Sequence, residues 1–216
     1  MTFAPIFQRP FSATFDRRAA AAAAAAVDWS QWCTYAWIFK GAASQAASYT
    51  DVVSSQLLTG GVAPTWDATN GLMCDGTQYK LTGLTPVSGW SMIVRFSNAR
   101  ITGATNNEFG SQGTNARFRI GNWAASDNAF YANGGFALVA PGLAAGVLAI
   151  AGQQGYRNGV ADGGAIGAFT GTGTEINIGR TSGVATFTGY YQFVGIKAST
   201  WTAPEVAALS AAVALI

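Results

Sequence analysis

The chain has 216 residues, long enough for one substantial domain with an appendage and a sizeable core. Only 10% of residues are charged and the formal net charge is +2, which leaves no electrostatic footprint for nucleic acid. No apolar run approaches the ~20 residues of a membrane-spanning helix.

So little charge also implies a surface partly covered by neighbours, because a free monomer relies on charge for solubility. The 27 glycines and the 12% of aromatic residues suit a strand-rich fold with tight turns.

Residues 1–27 differ from the rest. Phe3, Phe7, Phe11 and Phe15 recur at every fourth position, with Pro5 and Pro10 among them. That spacing would line one face of a helix, but Pro10 removes a backbone donor and clashes with the preceding turn. An extended arm with a row of phenyl rings is predicted instead. Docked in a groove, each ring would contribute ~1.5–3 kcal/mol, less the cost of ordering the chain. Arg17 and Arg18 then precede the alanine tract 19–26, read as a helical spacer or as a linker ordered in an assembly. Paired arginines before small residues also echo a twin-arginine leader, but the aromatics and prolines upstream argue against one. The arm is read as an anchor, with Phe3, Phe7, Phe11, Phe15, Arg17 and Arg18 as its contacts.

From residue 28 to 216, strand-like runs alternate with Gly, Asn, Asp and Thr turns. Cys33 and Cys74 are too few for a disulfide framework; they could pair, but two buried free thiols are the preferred reading. Trp90, Met92, Val94 and Phe96 alternate with a mixed face. Phe118 and Ile120 alternate with Arg117 and Arg119, an inward/outward pattern. Val147 to Ile150, apolar on both faces, suits a buried central strand. Asn133-Gly134 and Asn158-Gly159 supply the positive φ that two-residue hairpins demand. Ile176–Arg180 reads as a strand closing on glycine and Phe187–Ile196 as a long strand. Thr202-Ala203-Pro204-Glu205 opens a short final helix as a capping box, with Val206, Leu209 and Val213 as its apolar stripe. Two packed sheets follow from so many short strands.

The chain has no histidine, which removes Ser-His-Asp, Cys-His and histidine–metal schemes. Its acids are Asp16, Asp28, Asp51, Asp67, Asp75, Glu108, Asp127, Asp162, Glu175 and Glu205, none two or four residues from another. Alternate carboxylates on one strand, as a glycoside hydrolase would use them, are therefore not present in the sequence. A non-enzymatic role is expected, with no cofactor and no metal. Asp75-Gly76, Asp127-Asn128 and Asp162-Gly163 read as turns before they read as calcium ligands. Trp123, Asp127, Asn128 and Tyr131 cluster as a sugar platform would. The competing reading, which is preferred, puts both rings in the core and both polar groups in a turn. Trp29, Trp32, Trp37, Trp66, Trp90 and Trp201 are assigned to core or interface.

The succession of the Asn158-Gly159 hairpin, the strand ending at Arg180, the strand Phe187–Ile196 and the helix from Thr202 to Ala214 resembles the close of a concanavalin A-like (laminin-G-like) β-sandwich. Lys40–Ser44, Ala46–Tyr49, Ala63–Gly71 and Cys74–Leu81 resemble the opening of lectin-like proteins encoded by tailed bacteriophages and prophages. These likenesses imply an all-β, concanavalin A-like jelly-roll sandwich for the domain of residues 28–216, ending in a short helix and preceded by the extended N-terminal arm (1–27). They also imply a virion component, a head decoration or a tail- or fibre-associated protein, whose partners are other virion proteins and copies of itself. The rival expectation is an adhesion module that binds host surface glycans through Trp123, Asp127, Asn128 and Tyr131. A secreted hydrolase is the third reading.

Overall fold

The computed structural model describes residues 27–100, 107–111, 117–123, 127–132, 135–171, 174–181, 184–185 and 187–216. Residues 1–26 of the arm, with the proposed anchors Phe3, Phe7, Phe11, Phe15, Arg17 and Arg18, lie outside the described residues.

The described chain is built from short strands. These are β1 (Tyr35–Ile38), β2 (Thr65–Asp67), β3 (Gly71–Asp75), β4 (Lys80–Leu81), β5 (Ser91–Ser97), β6 (Asn107–Ser111), β7 (Phe118–Trp123) and β8 (Asp127–Ala132). They continue as β9 (Gly135–Val139), β10 (Gly146–Ala151), β11 (Gln154–Arg157), β12 (Val160–Ala161), β13 (Asn177–Ile178), β14 (Arg180–Thr181), β15 (Val184–Ala185) and β16 (Thr188–Lys197). A 3-10 turn at Trp29–Gln31, a one-turn helix at Gln45–Ser48 and a C-terminal helix at Ala203–Ala214 complete the described elements.

The strands form a two-layer sandwich. One sheet runs β12-β11-β10-β5-β16-β3-β2, with β1 also paired to β16; the other runs β4-β13-β6-β7-β8-β9. β16 is the hub of the larger sheet. Along one edge it pairs with β5; along the other, β1 takes its C-terminal half and β3 its N-terminal half. A bulge between Tyr191 and Phe193 marks the seam. Gly71 sits there at φ +105°, where a Cβ would stand 2.2 Å from the Tyr191 carbonyl oxygen, so no larger residue fits.

Alternation explains the layers. Met92, Val94 and Phe96 of β5 face the inter-sheet core with Trp37, Leu72, Phe109, Phe118, Ile120, Phe130 and Tyr191. Ile93 faces the other way, into a second apolar layer with Trp29, Val147, Ala149, Phe193, Trp201, Val206, Leu209 and Val213. The C-terminal helix lies over that outer side. Its capping box is complete, with Thr202 and Glu205 bonding reciprocally, and Val206, Leu209 and Val213 are fully buried. Lys197 Nζ, at the end of β16, holds Glu205 Oε1 at 2.9 Å. At the far end Arg95 Nη1 donates to the Val213 carbonyl at 2.6 Å, satisfying a terminal acceptor.

The long strand, the final helix and the Val147–Ile150 core strand match their expected places. Asn158 and Gly159 adopt φ +49° and +84°, closing β11 onto β12. Ala132 pairs with Gly135; Asn133 and Gly134, expected to form a hairpin turn, lie outside the described residues. The strand expected to close on glycine ends before Gly179 (φ +91°), where a Cβ would meet the Gln78 carbonyl oxygen at 2.8 Å, and Arg180 begins β14. Two expectations need correction. Asp127 and Asn128 are paired strand residues of β8, opposite Trp123 and Asn122, rather than a turn. Arg119, expected to face solvent, is 4% exposed, because an aromatic ring lies against its guanidinium.

Cys33 and Cys74 are free and buried. They sit in different layers, Cys33 beneath the helix and Cys74 between the sheets, which accounts for the absence of a bond. Burial pushes both thiols up to about 12, so neither is a thiolate at neutral pH.

Candidate functional site

The outward face of the six-stranded sheet carries the residues of interest. Phe118, Ile120, Phe130 and Ala132 point into the core, so Arg119, Ala129 and Tyr131 point outward by the strand period. Register then builds a row across three strands. Arg119 of β7 opposes Tyr131 of β8, and Tyr131 opposes Phe136 of β9. The Arg119 guanidinium lies 4.2 Å from the Tyr131 ring centre, and the Tyr131 and Phe136 rings stack at 5.7 Å with 28° between their planes.

The row is graded in exposure. Arg119 and Tyr131 are buried, whereas Phe136, on the edge strand, is 57% exposed. Cation–π contact and stacking hold the inner members, which fixes the orientation of the exposed ring. One step along the strands, about 7 Å away, Gly121 and Ala129 oppose one another and Leu138 opposes Ala129, at 39% exposure. Small residues there leave the aromatic row standing above its neighbours.

Two positions further along β8, on the face of Tyr131, is Asp127. Most described carboxylates have structural work. Asp28 caps the 3-10 turn. Asp51 is buried and accepts from the Ala36, Val53 and Ser54 backbone. Asp67 and Asp75 close their own turns, Asp162 pairs with Arg157, Glu175 accepts from Gly83 N–H, and Glu205 caps the helix. Half-buried Asp127 has no protein donor among the described residues, and an ionised carboxylate can accept from a ligand's hydroxyl groups.

The four sequence candidates therefore divide. Asp127 and Tyr131 share the outward face. Asn128 is fully buried on the opposite side, and its Oδ1 accepts from Leu143 N–H at 3.3 Å. Trp123 ends β7 opposite Asp127. Phe136 went unread because Gly135–Val139 is apolar throughout: Phe136 and Leu138 alternate with Ala137 and Val139, and hydropathy alone does not say which pair faces inward. A cavity of about 10 Å³ between the sheets, lined by Phe96, Phe109, Phe187 and Tyr191, has room for about one water. It is a packing gap in the core. Among the described residues no group of three metal-ligating side chains converges, and no helix is long and apolar enough to cross a membrane.

No protein-family model and no curated protein sequence matches the chain. Solved structures do. The chain is similar to domain 4 of AbnA, a GH43 extracellular arabinanase from Geobacillus stearothermophilus, in complex with arabinotriose: 16% identity, TM-score 0.53, covering 82% of this chain and 98% of that one. It is similar to Trypanosoma rangeli sialidase (12% identity, TM-score 0.54), covering 91% of this chain and 37% of the enzyme. It is also similar to botulinum neurotoxin type C, whose cell entry depends on interaction with two ganglioside molecules. There the identity is 8% and the TM-score 0.54, covering 87% of this chain and 53% of that one. The chain thus spans little more than a third of the sialidase and about half of the toxin chain. At these identities the likeness establishes the fold, a jelly-roll β-sandwich.

Proposed function

We propose that residues 28–216 form a non-catalytic glycan-binding module, which residues 1–27 attach to a larger assembly. The observation that carries this reading is the row Arg119–Tyr131–Phe136. It presents a fixed, exposed ring on an outward sheet face, with the carboxylate of Asp127 on the same face. A flat ring covers the C–H face of a sugar, and a carboxylate beside it accepts from the sugar hydroxyls. The structures compared above include a domain in complex with arabinotriose and a toxin whose cell entry depends on gangliosides, which supports a sugar as the ligand class. That the module binds rather than cleaves rests on the absence of histidine and on seven of the described carboxylates, Asp127 not among them, being engaged in turns, caps and ion pairs.

The assembly proposed is a tailed-phage particle, on the strength of the phage-like motifs between Lys40 and Leu81 and the aromatic arm. In this reading the arm docks into neighbouring subunits, including copies of the same chain, and the sandwich faces outward to host surface glycans.

Glycan-array screening of the full chain, followed by titration of the best ligand, tests the site. Phe136→Ala is expected to weaken binding about three- to tenfold, the worth of one aromatic contact, and Asp127→Asn to weaken it further. A well-folded chain with no signal on the array, or unchanged affinity in both variants, would refute the module. Attachment is tested separately: removing residues 1–18 should abolish incorporation into particles while the sandwich stays folded.

A further inference from the structure

The larger sheet has a corner where the seam of β16 adjoins the end of the C-terminal helix. Lys40 follows β1 where the chain leaves β16, and its N–H donates to the Gln192 carbonyl at 3.2 Å. Gln192, at the β16 bulge, is buried and donates Nε2 to Ser97 Oγ at 3.1 Å. Arg95, two residues before Ser97 on β5, opposes Phe193 and points outward to the end of the helix. Bulge and seam therefore bring Lys40 and Arg95 to one corner.

Both are half-buried. Burial, and then the charge of Arg95, push the Lys40 ammonium below its ordinary value; burial lowers Arg95 as well. Neither forms an ion pair among the described residues. The carboxylates on the adjoining β2–β3 hairpin turn away: Asp67 accepts from Thr69 N–H and from Asn70 Nδ2, both at 2.7 Å, and Asp75 accepts from the Thr77 N–H and hydroxyl. Two partly desolvated cations side by side, with no carboxylate partner among the described residues and only the Val213 carbonyl at the helix end accepting from Arg95, are unfavourable in isolation. A bound oxyanion offsets that cost, and the guanidinium fork matches one bidentately.

The surroundings suggest what carries the anion. Tyr190, half-buried on the same outward face, lies between Ser97 of β5 and Met73 of β3. Met73 is 37% exposed. A ring and a thioether beside the cations form an apolar shelf, the complement of a charged sugar ring rather than of a small inorganic ion.

We propose that Lys40 and Arg95, with Tyr190 and Met73 beside them, form a second binding site, one that takes the carboxylate or sulfate group of an acidic oligosaccharide. The site lies on the opposite sheet from Phe136 and does not depend on the reading given above for that face.

Isothermal titration of the full chain with an oligogalacturonate, a sulfated oligosaccharide, inorganic sulfate and a neutral oligosaccharide of equal length tests it. At least one acidic oligosaccharide is expected to bind, at least tenfold more weakly to Lys40→Gln and to Tyr190→Ala, and unchanged to Phe136→Ala. Lys40→Gln leaves the helix contact of Arg95 in place, so a loss there does not report unfolding; Arg95→Lys, which keeps charge but not the fork, should also weaken binding. Several outcomes would overturn the site: no acidic oligosaccharide binding, equal affinity in Lys40→Gln, or sulfate binding as tightly as the oligosaccharides. Acidic-ligand binding lost in Phe136→Ala but kept in Lys40→Gln would also overturn it, while leaving the Phe136 face intact.

Discussion

The outward faces of the two sheets are built in opposite ways. Behind the larger sheet, Ile93, Val147, Ala149 and Phe193 are apolar and buried because Trp29, Trp201 and the C-terminal helix lie on them. Outside the smaller sheet no described helix packs, and the face carries an arginine, stacked aromatics, a carboxylate with no donor among the described residues, and two exposed apolar side chains. The difference shows how one strand architecture serves two purposes. A face that is apolar across several strands needs a permanent cover from its own chain. A face with one fixed aromatic row and polar groups at intervals can stay available to a partner.

The comparison can be broken most sharply at the cover. Trp201, 2% exposed, also donates Nε1 to the Trp32 carbonyl at 2.6 Å. Trp201→Ala should cost about 3–5 kcal/mol, measured by denaturant unfolding; a loss below about 1 kcal/mol would mean that the helix is not part of the core. Next is the cap. Thr202→Ala should cost about 1 kcal/mol, without altering ligand binding at Phe136.

A smaller effect is expected from Glu205. The Thr202 backbone N–H, then Lys197 and the Thr202 hydroxyl, hold its carboxyl down to about 2, against an ordinary 4.5. A depressed folded-state value stabilises above the unfolded value and fades as pH falls through the folded one. The melting-temperature gap between the natural chain and Glu205→Gln should therefore be full above about pH 5 and close towards pH 2. A gap independent of pH would remove the carboxylate from the account. Smallest is the stability cost of Phe136→Ala, expected within about 0.5–1 kcal/mol because the ring is largely exposed. A larger loss would mean that this face is structural like the other.

The capping box, the Asn158-Gly159 turn, the apolar β10 run and the long β16 were legible in the sequence, because each follows from local preference or from a period within one element. The candidate site was legible only in part. Asp127 and Tyr131 fall on one face by strand period, once Asp127-Asn128 is known to be strand. Trp123 adjoins them by register. Asn128 turns inward for the same reason, and Arg119 is buried by a ring from the neighbouring strand.

Local chemistry, then, was enough to determine an all-β sandwich closed by a capped helix, with no histidine chemistry. Which sheet face is sealed, which aromatic row is displayed, and that Lys40 meets Arg95 were decided by tertiary structure. Each depends on strand register or on a bulge between segments remote in sequence, and neither hydropathy nor spacing within a segment encodes the partner across the sheet.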